Sequence, residues 1–265
     1  MESSSELQNV LRRLAIGLVL PAALIALWGG ASASGYLPAY VLPAPWTLCV
    51  AVFGFPTGIG WPSVYAGQFW SFAALSTFRV LVGFGFAAVA GVLLGALCGR
   101  WTLFNRAVDP LLQLLRSIPG IAWLPIAMVW FGIGTVTTAF LIALGAFFPV
   151  YVNTLHGVRL IPVEWIRAAR IMGATPLQVF TRVVLPGAFP AVESGLRVAA
   201  GVAWAYVVLG ELTGVDKGLG AMIMDARMMG DTTAILVGMV YIALLGRLTD
   251  WLVVTATRRI RGHRQ

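Results

Sequence analysis

The sequence predicts an all-α integral membrane protein of about six transmembrane helices, on three observations. Of its 265 residues 59% are hydrophobic and only 11% charged, against about 45–50% and about 25% in soluble domains. With mean hydropathy at +0.88, the surplus apolar surface must face lipid rather than water. The apolar residues fall into six runs, and the basic residues gather between them on one side.

The runs are Leu14–Trp28, Val80–Leu97, Ile121–Ile133, Thr138–Val152, Val198–Leu212 and Thr233–Gly246, the last extending through Trp251–Ala256. Each becomes a span of ~20 residues once its flanks are included. The start also has the outline of a secretory signal: Arg12-Arg13, an apolar core and Ala31-Ser32-Ala33. That core is at the long end of the ~7–15 residues usual for a signal, and Glu2 and Glu6 are foreign to its leading region, so a retained first span is expected. The third and fourth spans are short and separated by Gly132-Ile133-Gly134, and Pro119 and Pro125 interrupt the third. Irregular backbone at membrane depth needs protein or a watery cavity around it, so both are expected to face the interior.

Orientation follows from the cations. With the N-terminus inside, fourteen of the eighteen Lys and Arg lie on inner segments, among them Arg12, Arg13, Arg116, Arg167, Arg182, Arg197 and Arg264, whereas Lys217 and Arg227 lie outside and Arg79 and Arg247 near span ends. This bias predicts both termini in the cytoplasm. It also explains the net charge of +8 and the pI near 10.3 without nucleic acid. The Gly29–Ser71 stretch, free of Lys and Arg, is then external, with Trp46, Trp61 and Trp70 suited to the interface. Cys49 and Cys98 make no disulfide or metal pattern and are expected to be packing residues.

The inner segment between spans four and five, about 156–194, carries the most local order. Pro162, Glu164, Arg170 and Gly173 outline one short helix. Thr175-Pro176 starts a second, expected to run to Leu185-Pro186. Ala168, Ala169 and Gly173 are small and helically spaced, so a neighbouring backbone can approach that face. Packing against the chain itself uses the same pattern.

This segment resembles the cytoplasmic motif of ABC importer inner-membrane permeases: Glu-Ala-Ala, a Gly four residues on, an Ile ten beyond, then one residue and Leu-Pro. Here it reads Arg167-Ala168-Ala169, Gly173, Val183, Val184, Leu185-Pro186, with the charge reversed at Arg167. The likeness spans about Ser76 to Asp250 and is strongest to the nitrate/sulfonate/taurine/bicarbonate branch, through Arg116-Ser117-Ile118-Pro119, Ala122–Ile126, Trp130–Gly134 and Gly210-Glu211-Leu212. Phe147–Arg159 and Tyr241–Leu248 read most like its aliphatic sulfonate permeases.

The resemblance implies a type I importer permease fold, with residues 1–75 as an N-terminal span and outer segment and 76–265 as the permease core. It implies that Arg167, Ala168, Ala169, Gly173, Leu185 and Pro186 couple the spans to a dimer of ATP-binding subunits holding ATP and Mg2+. It further implies a second permease copy, a periplasmic or lipid-anchored binding protein and a place in a bacterial inner membrane. The cargo implied is a small organic anion, an aliphatic sulfonate foremost, and the alternative implied is a permease for nitrate, taurine or bicarbonate. A secondary transporter and a membrane anchor or assembly subunit are the remaining alternatives; the former commonly shows internal repeats of its spans, and none is evident here.

The chain carries no chemistry of its own that can be read from spacing. A phosphate-binding loop needs Gly-x-x-x-x-Gly-Lys-Ser/Thr, but Lys217, the sole lysine, precedes Gly218. His156 and His263 join no metal-ligand cluster. Candidates for the solute path are Trp123, Met128, Trp130, Trp204 and Glu211, the last with a cap or a pairing to Lys217 or Arg227 as its structural alternative. Arg247 and Asp250, at i and i+3, are expected to pair on one helix face. Since the spans hold few cations, contacts to an anion in the membrane are expected to be weak.

Overall fold

The computed structural model describes residues 19–35 and 38–262, and every element in them is helical. Arg12, Arg13, the first residues of the Leu14–Trp28 run, His263 and Arg264 lie outside the described residues. Of the six expected spans, four appear as helices long and apolar enough to cross a membrane: α3 (Phe69–Arg100), α6 (Thr135–Arg159), the continuous rod Pro176–Glu211 and α11 (Thr232–Gly262). A fifth is a pair, α4 (Thr102–Ser117) and Gly120–Phe131, bent by 91°. The described part of the first run is the shorter helix α1 (Val19–Ala33).

The chain divides into two compact units, one formed by the described residues up to Trp70 with Ile223–Val240, the other by Ser71–Met222 with the residues from Tyr241 on. The first unit contains a helix that charge and hydropathy did not single out, α2 (Pro45–Thr57), started by Pro45 and closed by Gly58 in the left-handed conformation. Trp61 does not serve the interface. It is buried edge-on against Phe55, and a Cβ on Gly54 would stand 2.5 Å from its own Cβ. Trp46 and Trp70 are exposed as expected. Cys98 is buried as a packing residue would be, but Cys49 is exposed.

The second unit is organised by glycines that let helix backbones touch. On α3, Gly83, Gly91, Gly95 and Gly99 face Ile142, Val150, Thr154 and Val158 of α6, where an added Cβ would come within 2.6–2.8 Å. The constant offset makes α3 and α6 parallel. Gly157 meets Ala191, Gly195 meets Asn153 and Gly210 meets Thr138, so α9 (Leu185–Glu211) runs antiparallel to α6. Close approach of this kind maximises dispersion contact where lipid offers no hydrophobic drive between helices.

Two parallel helices need a return path across the membrane, and the bent pair supplies it. Phe104, Val108 and Leu112 of α4 pack on Cys98, Tyr151 and Leu155, and the Tyr151 hydroxyl donates to Asp109 at 2.7 Å. The bend falls at Pro119, as the prolines predicted, with a 3-10 turn (Gly120–Trp123) leading into α5 (Leu124–Phe131). Gly132 and Gly134, both at positive φ, break the chain before α6. The interior expected for both short spans holds for α6 alone. In α5 only Ala127 is buried, and Val129 and Trp130 stand open on the single chain.

Candidate functional site

The 156–194 segment holds two short helices with one face locked. Pro162 caps α7 (Val163–Ile171), Glu164 lies in its first turn and Arg170 in its last. Gly173, at φ +82°, closes it: the Gly173 and Ala174 N–H groups donate to the Arg170 and Ala169 carbonyls, each at 3.0 Å. No described residue lies within 4 Å of a Cβ on Gly173, so within this chain the glycine answers to backbone conformation. Thr175 then forms a reciprocal cap with Gln178 and opens α8 (Pro176–Val179).

This second helix does not end at Leu185-Pro186. A π-helical turn, Phe180–Val184, joins it to α9, with the Leu185 N–H donating to the Phe180 carbonyl. The widened turn makes room for Pro186, which has no N–H and whose ring would crowd the preceding turn of a regular helix. Arg197, assigned to the inner loop by its charge, consequently sits in the middle of α9.

The two small residues of the motif part company. Ala169 is buried with Ala96, Val158, Val179, Val184 and Ala188, whereas Arg167 and Ala168 are exposed. Phe180 stacks on Trp101 at 6.1 Å. The loop is thus fastened to the ends of α3, α6 and α9, and it leaves apolar side chains open, Ile171 at 88% and Met172 at 81% exposed, with Leu160 and Leu177 also exposed.

The path candidates lie on three elements: Trp123 in the 3-10 turn, Met128 and Trp130 on α5, Trp204 and Glu211 on α9. Trp123 lines a cavity of about 180 Å³ with Arg116, Pro119, Phe148 and Tyr206, the Tyr206 ring lying against Gly120 and Gly145. The Trp123 indole N–H is buried without a hydrogen-bond partner among the described residues. Met128 is half-buried on α5, and Trp130 is edge-on to Phe131 and Phe140. Trp204 is buried, donating from Nε1 to Thr249 Oγ1 at 3.0 Å and so joining α9 to α11.

Glu211 is fully buried, and its partner is neither Lys217 nor Arg227. Arg79 Nη1 donates to its Oε1 at 2.6 Å, the Ser76 hydroxyl approaches both oxygens at 2.8 and 2.9 Å, and Gly220 N–H donates to Oε2 at 2.8 Å. Lys217 contributes only its carbonyl, to Arg79 at 2.7 Å. The carboxylate sits at the start of α10 (Leu219–Met229), where the helix dipole favours an anion. A Cβ on Gly218 would lie 2.5 Å from its Cδ. The carboxylate is closed off from solvent, while Arg79 also borders an open cavity with Thr135, Asp216 and Lys217. Ser76 and Arg79 were missed, although a lone Arg and a lone Glu in two apolar runs are each other's natural counter-ion.

A second charged cluster links α9 to α11. Asp250 accepts from Arg247 Nη1 at 2.7 Å, the expected i, i+3 pair, and also from Arg197 Nε at 2.8 Å. Among the described residues no three His, Cys, Asp or Glu side chains are grouped to hold a metal ion.

Glycine-packed apolar helices, a bent return pair and a locked loop with an open apolar face define a multi-pass membrane protein. The family model for the binding-protein-dependent transport system inner membrane component matches residues 91–262, and the chain belongs to that family. It is 36% identical to the aliphatic sulfonates transport permease protein SsuC of Bacillus subtilis (strain 168), over 92% of this chain and 86% of that one. The SsuC protein of Escherichia coli (strain K12) is 35% identical, over 87% and 85%. Among solved structures, the MetNI methionine ABC transporter in an inward-facing conformation superposes with a TM-score of 0.58 at 25% identity, over 72% of this chain and 94% of that one. The chain is therefore the permease subunit of an ABC importer, with a type I importer fold.

Proposed function

We propose that the chain is the translocation subunit of an ATP-driven importer of small organic anions, aliphatic sulfonates foremost. The observation that carries the cargo is the identity to two sulfonate permeases over nearly the whole chain. Permeases named for nitrate, taurine and bicarbonate are also similar and define the nearest alternative cargoes.

In this reading two copies of the chain pair, and each offers the outer face of α7, with Ala168, Ile171 and Met172, to an ATP-binding subunit that holds ATP and Mg2+. Arg167, Ala169, Gly173, Leu185 and Pro186 set the shape behind that face. ATP-driven closure of the subunits moves the loop, and because its inner side is packed on α3, α6 and α9, the spans move with it. An external binding protein delivers the solute, and both termini lie in the cytoplasm.

The test is uptake of methanesulfonate, taurine and nitrate into proteoliposomes that hold the permease, its ATP-binding subunit and its binding protein. ATP-dependent uptake favouring the sulfonate supports the reading. Uptake without ATP, or of nitrate alone, overturns it.

A further inference from the structure

Two guanidinium groups stand at the middle of membrane helices. Arg247 is the central residue of the 31-residue α11, about 22 Å from either end at ~1.5 Å per residue. Arg197 is one residue from the centre of the 27-residue α9. Both share the carboxylate of Asp250. Glu193, one turn nearer the start of α9, is the other acid that acts on Arg197. The Arg247 side chain is 76% exposed and the Arg197 side chain 48%. Arg247 directs one of its five N–H donors to Asp250 and none to any other described residue.

A guanidinium this open cannot face hydrocarbon at mid-helix; charges within spans turn to a water-filled cavity or to the bundle interior, where they mark solute routes. The surface of α9 on either side of Arg197 leaves space, being exposed at Ser194, Val198, Gly201 and Ala205. The Arg79–Glu211 centre offers no such opportunity, because its charges are matched and buried.

We propose that Arg247 and Arg197 form a station at mid-membrane for the oxyanion head of the imported solute, with Asp250 holding the two guanidinium forks in place. Under the cargo reading above, on which this rests, that head is a sulfonate. Its three oxygens match planar N–H donors. Asp250 competes for the same donors, so the anion is held weakly and can leave. Trp204 is a positioning residue here, its bond to Thr249 fixing α11 against α9 next to the station.

A lipid phosphate presents the same chemistry, and the experiment separates the two. Methanesulfonate is the probe, measured both as solute taken up per ATP hydrolysed by the complete importer in vesicles and by saturation-transfer NMR on the purified permease–ATPase complex. Arg247→Gln removes a charge-assisted contact and is expected to lower the uptake ratio about tenfold and abolish the NMR signal. Arg247→Lys restores much of both, and Arg258→Gln, which removes a cation near the helix end, changes neither. A wild-type response from Arg247→Gln overturns the station while leaving the importer intact. A defect seen in phosphatidylglycerol vesicles and absent in phosphatidylcholine makes the occupant a lipid and also overturns it. If the wild-type importer moves no sulfonate, the cargo reading falls first and this proposal with it.

Discussion

Arg79 and Glu211, 132 positions apart in the chain, meet at 2.6 Å with neither side chain more than 6% exposed. The pair ties the start of α3 to the end of α9, and Ser76 and Gly220 complete its hydrogen bonding. Desolvation makes such a pair costly to break and not especially stabilising to keep. Glu211→Ala is therefore expected to cost about 3–5 kcal/mol, because it strands a buried guanidinium. The double variant Arg79→Met/Glu211→Leu should be milder than either single change. Thermal inactivation of the detergent-solubilised protein, followed by size-exclusion chromatography, measures this; a double variant at least as unstable as the worse single one would show that the pair contributes net stability.

Neighbouring alanines should behave oppositely. Ala169→Trp forces a large ring into the cluster with Val179 and Val184, and overpacking of this kind costs about 1–3 kcal/mol or more, so yield in the membrane should fall. Ala168→Trp points outward and should leave yield intact while weakening co-purification with the ATP-binding subunit. Equal loss of yield from both would contradict the two-faced loop.

Gly173 tests conformation against size. Its φ of +82° disfavours a β-branched residue by roughly 1–2 kcal/mol, but Asn tolerates this region. Gly173→Asn should support ATP-driven uptake, and Gly173→Val should reduce the uptake obtained per ATP. Failure of both variants alike would mean that the space in front of the glycine, empty in the single chain, is filled by a partner.

Topology can be read by thiol labelling. Cys49 is exposed and has to be replaced first, whereas Cys98 is buried and can stay. Val64 is a better reporter than its half-buried neighbour Ser63. A cysteine at Val64 should react from outside intact spheroplasts, and one at Thr175 only after permeabilisation. The opposite pattern would invert the orientation.

What the sequence disclosed was mostly local. Pro119, Pro125, Gly132 and Gly134 marked the breaks because each acts on its own backbone, and Thr175 and Gln178 cap a helix three residues apart. Apolar runs located the spans but not their ends. Leu185-Pro186 suggested a stop, yet the helix passes through it by widening one turn, a choice stabilised by Val184 and Ala188 packing on α3 and α6. The two charge clusters were half visible. Arg247 and Asp250 lie one turn apart, but Arg197 reaches Asp250, and Arg79 reaches Glu211, only once glycine spacing has set the helices side by side. Trp204 and Trp123 could not be told apart by type, since one indole N–H meets Thr249 and the other meets no acceptor among the described residues.

The π turn at Phe180–Val184 acts as an angular offset between the loop and α9. Val179 and Val184 are five residues apart, a spacing that a regular helix would place about 140° apart, yet both point into one cluster. Winding the same five residues as a regular helix, with none removed, would rotate α9 by about 140° against the loop. The faces carrying Arg197, Trp204 and Glu211 would then leave their partners together. The turn thus acts as an indexing joint: it transmits a push along the rod only while its own winding holds the two ends in phase.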